Sequence, residues 1–409
     1  MTRKTYWKMT SRMFRENRAR LCIIATTTMI STAIITGLGN VAPRFMKIIN
    51  YLRTMGMAEE DLMELYTVKN GLERLSFIFP IFFMFVTCLV VFMTLTRLVA
   101  VERSQIGCLK TLGYSWGDIL MKYVIFTGVA SLVGVIPGII LGQLFVYPTL
   151  FAAVVARFEL PNPAGITFPA FGIVAALISF AFAMSVTLVT LFKVTRETPS
   201  QLLKTPCPSA GGKILLERIT FFWRPLPFRY KSTLRNIFRY RMRFFMTVST
   251  VTFATALVFC GMGLSFGLRF TTTPEIMETI RPISSIIVLA AVILNALVMY
   301  NITNINIEER RREIATLRVL GYHNIEVSSY IFREIFILTV IGVIIGLPVG
   351  YYFMDYIFSY LGFGNIEFVG WFVWFIVAIL SFSSLAIANL LLFRKIHDTD
   401  MNASLKTVE

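Results

Sequence analysis

Two charged, amphipathic stretches carry the residue types best suited to work at a membrane surface. Residues 102 to 114 read ERSQIGCLKTLGY, and residues 308 to 322 read EERRREIATLRVLGY. A constant shift of 208 aligns Arg103 with Arg311, Ile106 with Ile314, Leu109 with Leu317, Lys110 with Arg318, Leu112 with Leu320, Gly113 with Gly321 and Tyr114 with Tyr322. Ile and Leu at helical spacing, charged residues between them and a closing glycine specify an amphipathic helix with a C-cap. The chemistry this offers is recognition. A solvated helix end has no need of Ile, Leu and Leu in both copies, so the stripe Ile314, Leu317 and Leu320 reads as a docking face for a protein partner. If the preceding span stays helical through Leu112, roughly 16 residues project about 24 Å beyond the bilayer.

Bond-making chemistry has no comparable motif. Ala210-Gly211-Gly212-Lys213-Ile214 lacks both the first glycine and the hydroxyl residue of a GxxxxGK[ST] phosphate loop. Any ATP used, with its Mg²⁺, therefore belongs to another chain, and no cofactor is expected in this one. GxSxG and HExxH are absent. The five cysteines (Cys22, Cys88, Cys108, Cys207, Cys260) form no CxxC pair, and the two histidines, His323 and His397, lie far apart. Neither a disulfide framework, a metal cage nor a His-based active site follows. Asp355 and Glu334 are the carboxylates nearest the seventh apolar run. Central charge is costly in a bilayer, which places Asp355 at the outer end and Glu334, beside Arg333, at the inner interface. Asn295, Asn301, Thr303, Asn304 and Asn306 form a polar cluster on the sixth run; such amides bond across helices more often than they line a solute path.

The elements that must position these residues are membrane helices. Of 409 residues 56% are hydrophobic and 15% charged, a composition that a soluble core of this length does not show. The formal charge of +16 comes from Lys and Arg clustered beside apolar runs. That is cytoplasmic retention of positive charge, not a nucleic-acid surface. Eight runs are long enough to cross about 30 Å of hydrocarbon, near residues 21–39, 76–99, 122–147, 168–192, 244–268, 282–304, 328–358 and 369–393. Lys4, Lys8, Arg12, Arg15, Arg18 and Arg20 precede the first, Arg97, Arg103 and Lys110 close the second, and Arg235, Arg239, Arg241 and Arg243 precede the fifth. Both termini are then cytoplasmic in a multi-pass protein of the cell membrane.

The repeat reaches beyond the cassettes. Gly134, Gly138 and Gly142 match Gly342, Gly346 and Gly350 at the same shift of 208, giving two GxxxGxxxG ladders for close helix packing. Lys193, Leu203 and Lys204 match Lys395, Leu405 and Lys406 at a shift of 202. The fold expected is all-α, two parallel four-helix repeats: a module at 1–204 with an interfacial helix 3–20, a linker at 205–228 rich in Pro and Gly, and a module at 229–409 with an interfacial helix 229–243. The stretches 40–75 and 269–281, between the first two spans of each half, are too short for an independent core without staples.

At these residues the chain resembles the FtsX-like permease family, the membrane subunits of MacB-type (type VII) ABC transporters, in its two-module form from Gram-positive bacteria. The resemblance rests on the cassettes, clearest at Glu309 to Gly321, on the glycine ladders, on Arg235-Asn236-Ile237-Phe238-Arg239 and on the tail Met401 to Glu409. It implies coupling elements that seat on a homodimer or heterodimer of separate cytosolic ATPases. Glu102, Arg103, Ile106, Leu109, Lys110 and Gly113 would form one seat, and Glu309, Arg311, Glu313, Ile314, Leu317, Arg318 and Gly321 the other. Gln105 and Ser104 stand where the second copy has Glu313 and Arg312, so unequal grips are expected, the second stronger. The short outer loops depart from the family's usual extracellular domain. Membrane lipid is an expected partner, and an accessory protein outside remains open.

The function expected is ATP-driven export or extraction of an amphipathic, lipid-like or peptide substrate, or transmission of force across the membrane. An ATP-independent transporter or channel and a non-transporting scaffold are the alternatives.

Overall fold

The computed structural model describes residues 3–56, 58–158, 170–195, 197–203, 224, 227–239, 241–268, 274–362 and 364–397. The linker expected at 205–228, apart from Arg224, Pro227 and Phe228, and the tail 401–409 lie outside the described residues. Among the described residues there is no strand. The helices of the first half are α1 (Arg3–Glu16), α2 (Arg18–Gly39), α3 (Val41–Thr54), α4 (Glu59–Val101), α5 (Arg103–Thr111), α6 (Trp116–Leu141), α7 (Tyr147–Phe158), α8 (Ala170–Thr195) and α9 (Pro199–Leu203). Those of the second are α10 (Phe228–Arg239), α11 (Arg241–Gly267), α12 (Pro274–Glu309), α13 (Arg311–Val319), α14 (Asn324–Leu361) and α15 (Phe372–His397).

Eight helices among the described residues are long and apolar enough to cross a bilayer, four in each half. They are α2, α4, α6, α8, α11, α12, α14 and α15, and the chain is an all-α, multi-pass membrane protein. A short π-helical turn at Gly142–Val146 carries the third span on into α7.

The glycine ladders explain the tightest packing in each half. A Cβ at Gly138 on α6 would stand 2.7 Å from the Met29 carbonyl oxygen and 2.9 Å from Thr32 Cβ on α2. One at Gly346 on α14 would stand 2.8 Å from the Thr252 oxygen and 3.0 Å from Thr255 Cβ on α11. The backbones touch because nothing but hydrogen lies between them. Gly134 and Gly142 meet Ala25, Thr28, Ala33 and Thr36, while Gly342 and Gly350 meet Val248, Val251, Ala256 and Phe259. Every one of these partners recurs at a shift of 223, whereas the glycines recur at 208. The second module therefore repeats the first in register and loses fifteen residues between its first two spans.

Those fifteen residues belong to a structure the sequence reading treated as a loop. The stretch 40–75 is helical: α3 turns at Met55 and Gly56 and runs back as the first turns of α4. Phe45, Ile48 and Ile49 of α3 and Leu62, Leu65, Val68 and Leu72 of α4 are buried in the main apolar cluster. Arg44 is held over the rings of Tyr147 and Phe151 on α7, and Asn40 donates to Gln143 at 3.1 Å. The hairpin needs no staple because it extends the membrane core instead of building its own. With 43 residues, α4 is about 64 Å long, twice the hydrocarbon thickness.

The modules meet through α2, α4 and α7 of the first and α11, α12 and α14 of the second. Aromatic pairs fill the middle: Phe82 with Phe353 and Phe85 with Phe253, each at 4.8 Å between ring centres. At the end away from the cassettes, Arg74 of α4 donates to the carbonyls of Tyr360 (2.7 Å) and Leu361 (2.8 Å). It caps the C-terminus of α14, where carbonyls lack helical partners and a cation is favoured.

Candidate functional site

Each cassette is a separate short helix, joined to its span by one hinge residue. The rod expected from span two through Leu112 is not formed. α4 ends at Val101, Glu102 adopts φ −86°, ψ 8°, and α5 begins at Arg103. In the second half α12 ends at Glu309, Arg310 adopts φ −101°, ψ 13°, and α13 follows. These values fall in the sparsely populated bridge between helix and strand. A buried ion pair holds each hinge there.

Glu102 accepts from Lys122 Nζ and from the Tyr123 hydroxyl on α6, both at 2.8 Å. Arg310 donates to Glu334 on α14 and stacks over Tyr330 at 5.5 Å. Hinge and anchor are buried in both halves. Glu102 and Arg310 occupy the same repeat position, so the charge at the hinge is reversed from one module to the other. A charged residue in an apolar setting persists only if paired and hydrogen-bonded. Here the pairing ties span two to span three, and span six to span seven, at the root of each cassette.

The far end of each cassette is closed by its glycine. Gly113 (φ +82°) and Gly321 (φ +89°) are left-handed, with no other atom within 4 Å of a built Cβ. Tyr114 N donates to the Leu109 carbonyl and Gly113 N to that of Lys110; Tyr322 N and Gly321 N repeat the pattern to Leu317 and Arg318. This is a Schellman cap, and it turns the chain sharply toward the next span.

Between hinge and cap the apolar stripe divides. Ile106 and Ile314, expected to face a partner, are 2% and 1% exposed and pack in the protein's own core in the absence of one. Leu109 and Leu317 are partly buried behind them. Leu112 and Leu320 are 73% and 69% exposed, and Val319 and Tyr322 join them at the surface. The reason is the hinge: once the helix folds over at 102 and 310, its inner turn lies on the third and seventh spans and only its tip faces outward.

The charged members also turn inward in part. Glu102 is consumed by its hinge. Arg103 meets Glu197 at 2.5 Å, and Lys110 donates to the Glu197 carbonyl at 2.6 Å, which binds α5 to the segment before α9. Gly107 lies against Leu202 and Leu203 of α9. Glu309 is paired with Arg97 at 2.9 Å and Arg243 at 3.2 Å. Arg311 and Glu313 are exposed, with Glu313 3.8 Å from Arg310; Arg318 is half-buried.

These pairs belong to a wider lattice that sequence reasoning did not assemble. Arg20 of α2 meets Glu308 of α12 at 2.7 Å, and Arg97 of α4 meets Glu309, so two ion pairs cross between the modules beside the hinges. Arg243, the repeat counterpart of Arg20, reaches Glu309, Glu334 and Asn306. Glu334, expected at the interface, is 2% exposed at the centre of this lattice. The amides of α12 contribute as well: Asn301 donates to Thr94 of α4 at 3.0 Å, again between modules. Asn295 is buried with neither amide atom bonded among the described residues. The one legible signal was an isolated charge inside an apolar run, as at Lys122, Arg97 and Glu334, which demands a partner. No group of three or more potential metal ligands occurs among the described residues.

The family model for the FtsX-like permease C-terminal domain matches residues 77–199 and again residues 285–397. The chain belongs to the FtsX-like permease family. Each matched segment runs from the second span of a module through its hinge, cassette, glycine ladder and fourth span, so the permease has two such modules. Comparison with curated proteins and with solved structures gives no match. FtsX-like permeases generally work with an ABC ATPase and are not themselves enzymes.

Proposed function

We propose that this permease is the membrane half of an ATP-driven transporter in which a pair of cytosolic ATPases, a homodimer or a heterodimer, grips the tips of α5 and α13. The observation that carries this reading is the paired hinge. Each cassette presents an exposed apolar tip and is rooted, through one buried ion pair, in two spans at once. A push on the tip therefore reaches α4 and α6 together on one side, and α12 and α14 on the other. ATP and Mg²⁺ act in the partner.

The seat is narrower than the sequence implied: Leu112 and Gly113 on one cassette, and Arg311, Glu313, Val319, Leu320 and Gly321 on the other. The second tip carries more exposed charge, which favours unequal grips on the two ATPases. The cassette end and both termini lie in the cytoplasm. The cargo is amphipathic or lipid-like, since the spans meet through apolar and aromatic contacts with few polar groups for a wide aqueous path. Force transmission to a partner outside uses the same lever, and the α3–α4 hairpin is the element it would move.

Co-expression with an ABC ATPase from the same genome tests the seat. Leu320→Asp should lower ATPase co-purification at unchanged permease yield. Full association of the variant would refute the proposal.

A further inference from the structure

Inside the first module, α2, α4, α6 and α8 surround a cavity of about 20 Å³. One water molecule needs about 10–15 Å³ of such space and two to four polar partners. Each of the four spans brings a hydroxyl to it: Thr28 and Ser31 from the first, Thr87 from the second, Ser131 from the third and Ser179 from the fourth. Ser31 and Ser131 are 2% and 0% exposed, and among the described residues neither hydroxyl has a hydrogen-bond partner. Thr27 and Thr28, one turn before Ser31, donate to the carbonyls of Ile23 and Ile24 at 2.9 and 2.8 Å. That is the ordinary resort of a hydroxyl on a membrane helix. Ser31 and Ser131 leave it unused and line the cavity instead.

We infer that this cavity is a binding site for one ordered water that ties the four spans together. The hydroxyls match a water in both donors and acceptors. Ser31 and Ser131 have protons to donate to the water oxygen. Thr28 spends its own proton on the Ile24 carbonyl and keeps lone pairs that accept from the water; the Thr87 oxygen, whose proton points to the Thr27 carbonyl at 3.5 Å, accepts likewise. A buried hydroxyl left bare is costly, and a water bridge is nearly as favourable as a direct bond. Other guests fit less well. No carboxylate, Lys or Arg lines the cavity, so nothing there would neutralise a bare ion, and its size excludes a lipid chain.

The same level is polar in the second module. Thr87, Ser131 and Ser179 recur as Asn295, Thr339 and Ser381 at the shifts of 208, 208 and 202 that align the second, third and fourth spans. Asn295 and Ser381 are 1% and 0% exposed, and neither the Asn295 amide nor the Ser381 hydroxyl has a partner among the described residues. Polar groups at this depth are expensive, so their return at three repeat positions argues for a structural use. The exception is Ser31, whose counterpart at a shift of 223 is Ala254. Where the first span loses its hydroxyl, the second gains the longer Asn side chain. In the first module the water joins α4, which carries the hinge, to the ladder pair α2 and α6.

The test is X-ray radiolysis of the full chain in nanodiscs, in which hydroxyl radicals form from bound water where it sits and oxidise the nearest reactive side chains. Met84 and Cys88 line the cavity, and Met354, fully buried in the apolar core, is the dry reference. Mass spectrometry should find Met84 and Cys88 oxidised several-fold faster than Met354 in the wild-type protein. Ser31→Ala with Ser131→Ala should lower both rates several-fold, while Ser185→Ala, at an exposed position of α8, should change neither. The wild-type comparison stands whether or not the double variant folds. Oxidation of Met84 and Cys88 at the Met354 rate, or oxidation undiminished in a folded double variant, would overturn the proposal.

Discussion

Arg20 of the first span and Glu308 at the end of the sixth meet at 2.7 Å and join the two modules beside the hinge of the second cassette. The Arg20 side chain is 5% exposed and also donates to Asn17 at 2.7 Å. Removing Glu308 leaves the buried guanidinium without a counter-charge and with Asn17 as its remaining partner, a loss below the about 3–5 kcal/mol of a fully buried pair, whereas replacing both partners by apolar residues is often close to neutral. Glu308→Ala should therefore lower the melting temperature in detergent more than the double change Arg20→Met with Glu308→Leu. Equal losses would show that the pair does not hold the interface.

The reversed hinges give a sharper experiment. Glu102 pairs with Lys122, and Arg310 with Glu334. Lys122→Met should leave Glu102 buried without its cation, reducing both folded yield and the ATPase stimulation measured in the reconstituted complex. Exchanging the pair, as Glu102→Lys with Lys122→Glu, should restore part of both. An exchange no better than the single change would mean that the site needs one polarity for a reason other than anchoring.

The packing ladders predict graded costs. Gly346→Ala places a methyl group 2.8 Å from the Thr252 carbonyl, an overpacking worth about 1–3 kcal/mol. Gly128 on α6 would meet nothing nearer than Met184 at 3.9 Å, so Gly128→Ala should be neutral or slightly stabilising. Thermal melts of the two variants side by side check this.

The cassette caps separate conformation from contact. Nothing lies within 4 Å of a Cβ at Gly321, so any cost of substitution there comes from its left-handed backbone. Gly321→Val should destabilise the cap by roughly 1–2 kcal/mol and weaken ATPase stimulation. Gly321→Asn should be milder, because asparagine tolerates that conformation. Identical stimulation in both variants would remove the cap from the coupling path.

Much of this architecture was legible in the residues. Apolar length marked the spans, and glycines at intervals of four, repeated at one shift, marked the close helix pairs. The partners of those glycines were not, because Thr28 and Thr36 on α2 answer to Val251 and Phe259 on α11 and only their positions repeat. The hinges were hidden for a related reason. Glu102 and Arg310 are unlike in charge, and their anchors stand 20 and 24 residues away, so neither identity nor local spacing connects them. Periodicity correctly made each cassette a helix, but it could not tell which apolar residues face the chain's own core. That depends on the bend, and the bend depends on a tertiary ion pair. The α3–α4 hairpin was not legible because 40–75 is too short for a core of its own, and only the fold shows that its apolar residues at helical spacing continue the membrane core.

The central claim is that ATP binding in the partner moves the two cassettes and, through their hinges, the spans. The most direct measurement is the distance between spin labels at Ser104→Cys on α5 and Arg311→Cys on α13, with the native cysteines replaced and the ATPase bound. Pulsed electron-paramagnetic-resonance distance distributions should shift when ATP is trapped, and the shift should shrink when Lys122→Met or Glu334→Gln loosens a hinge. Identical distributions with and without trapped ATP would contradict the account.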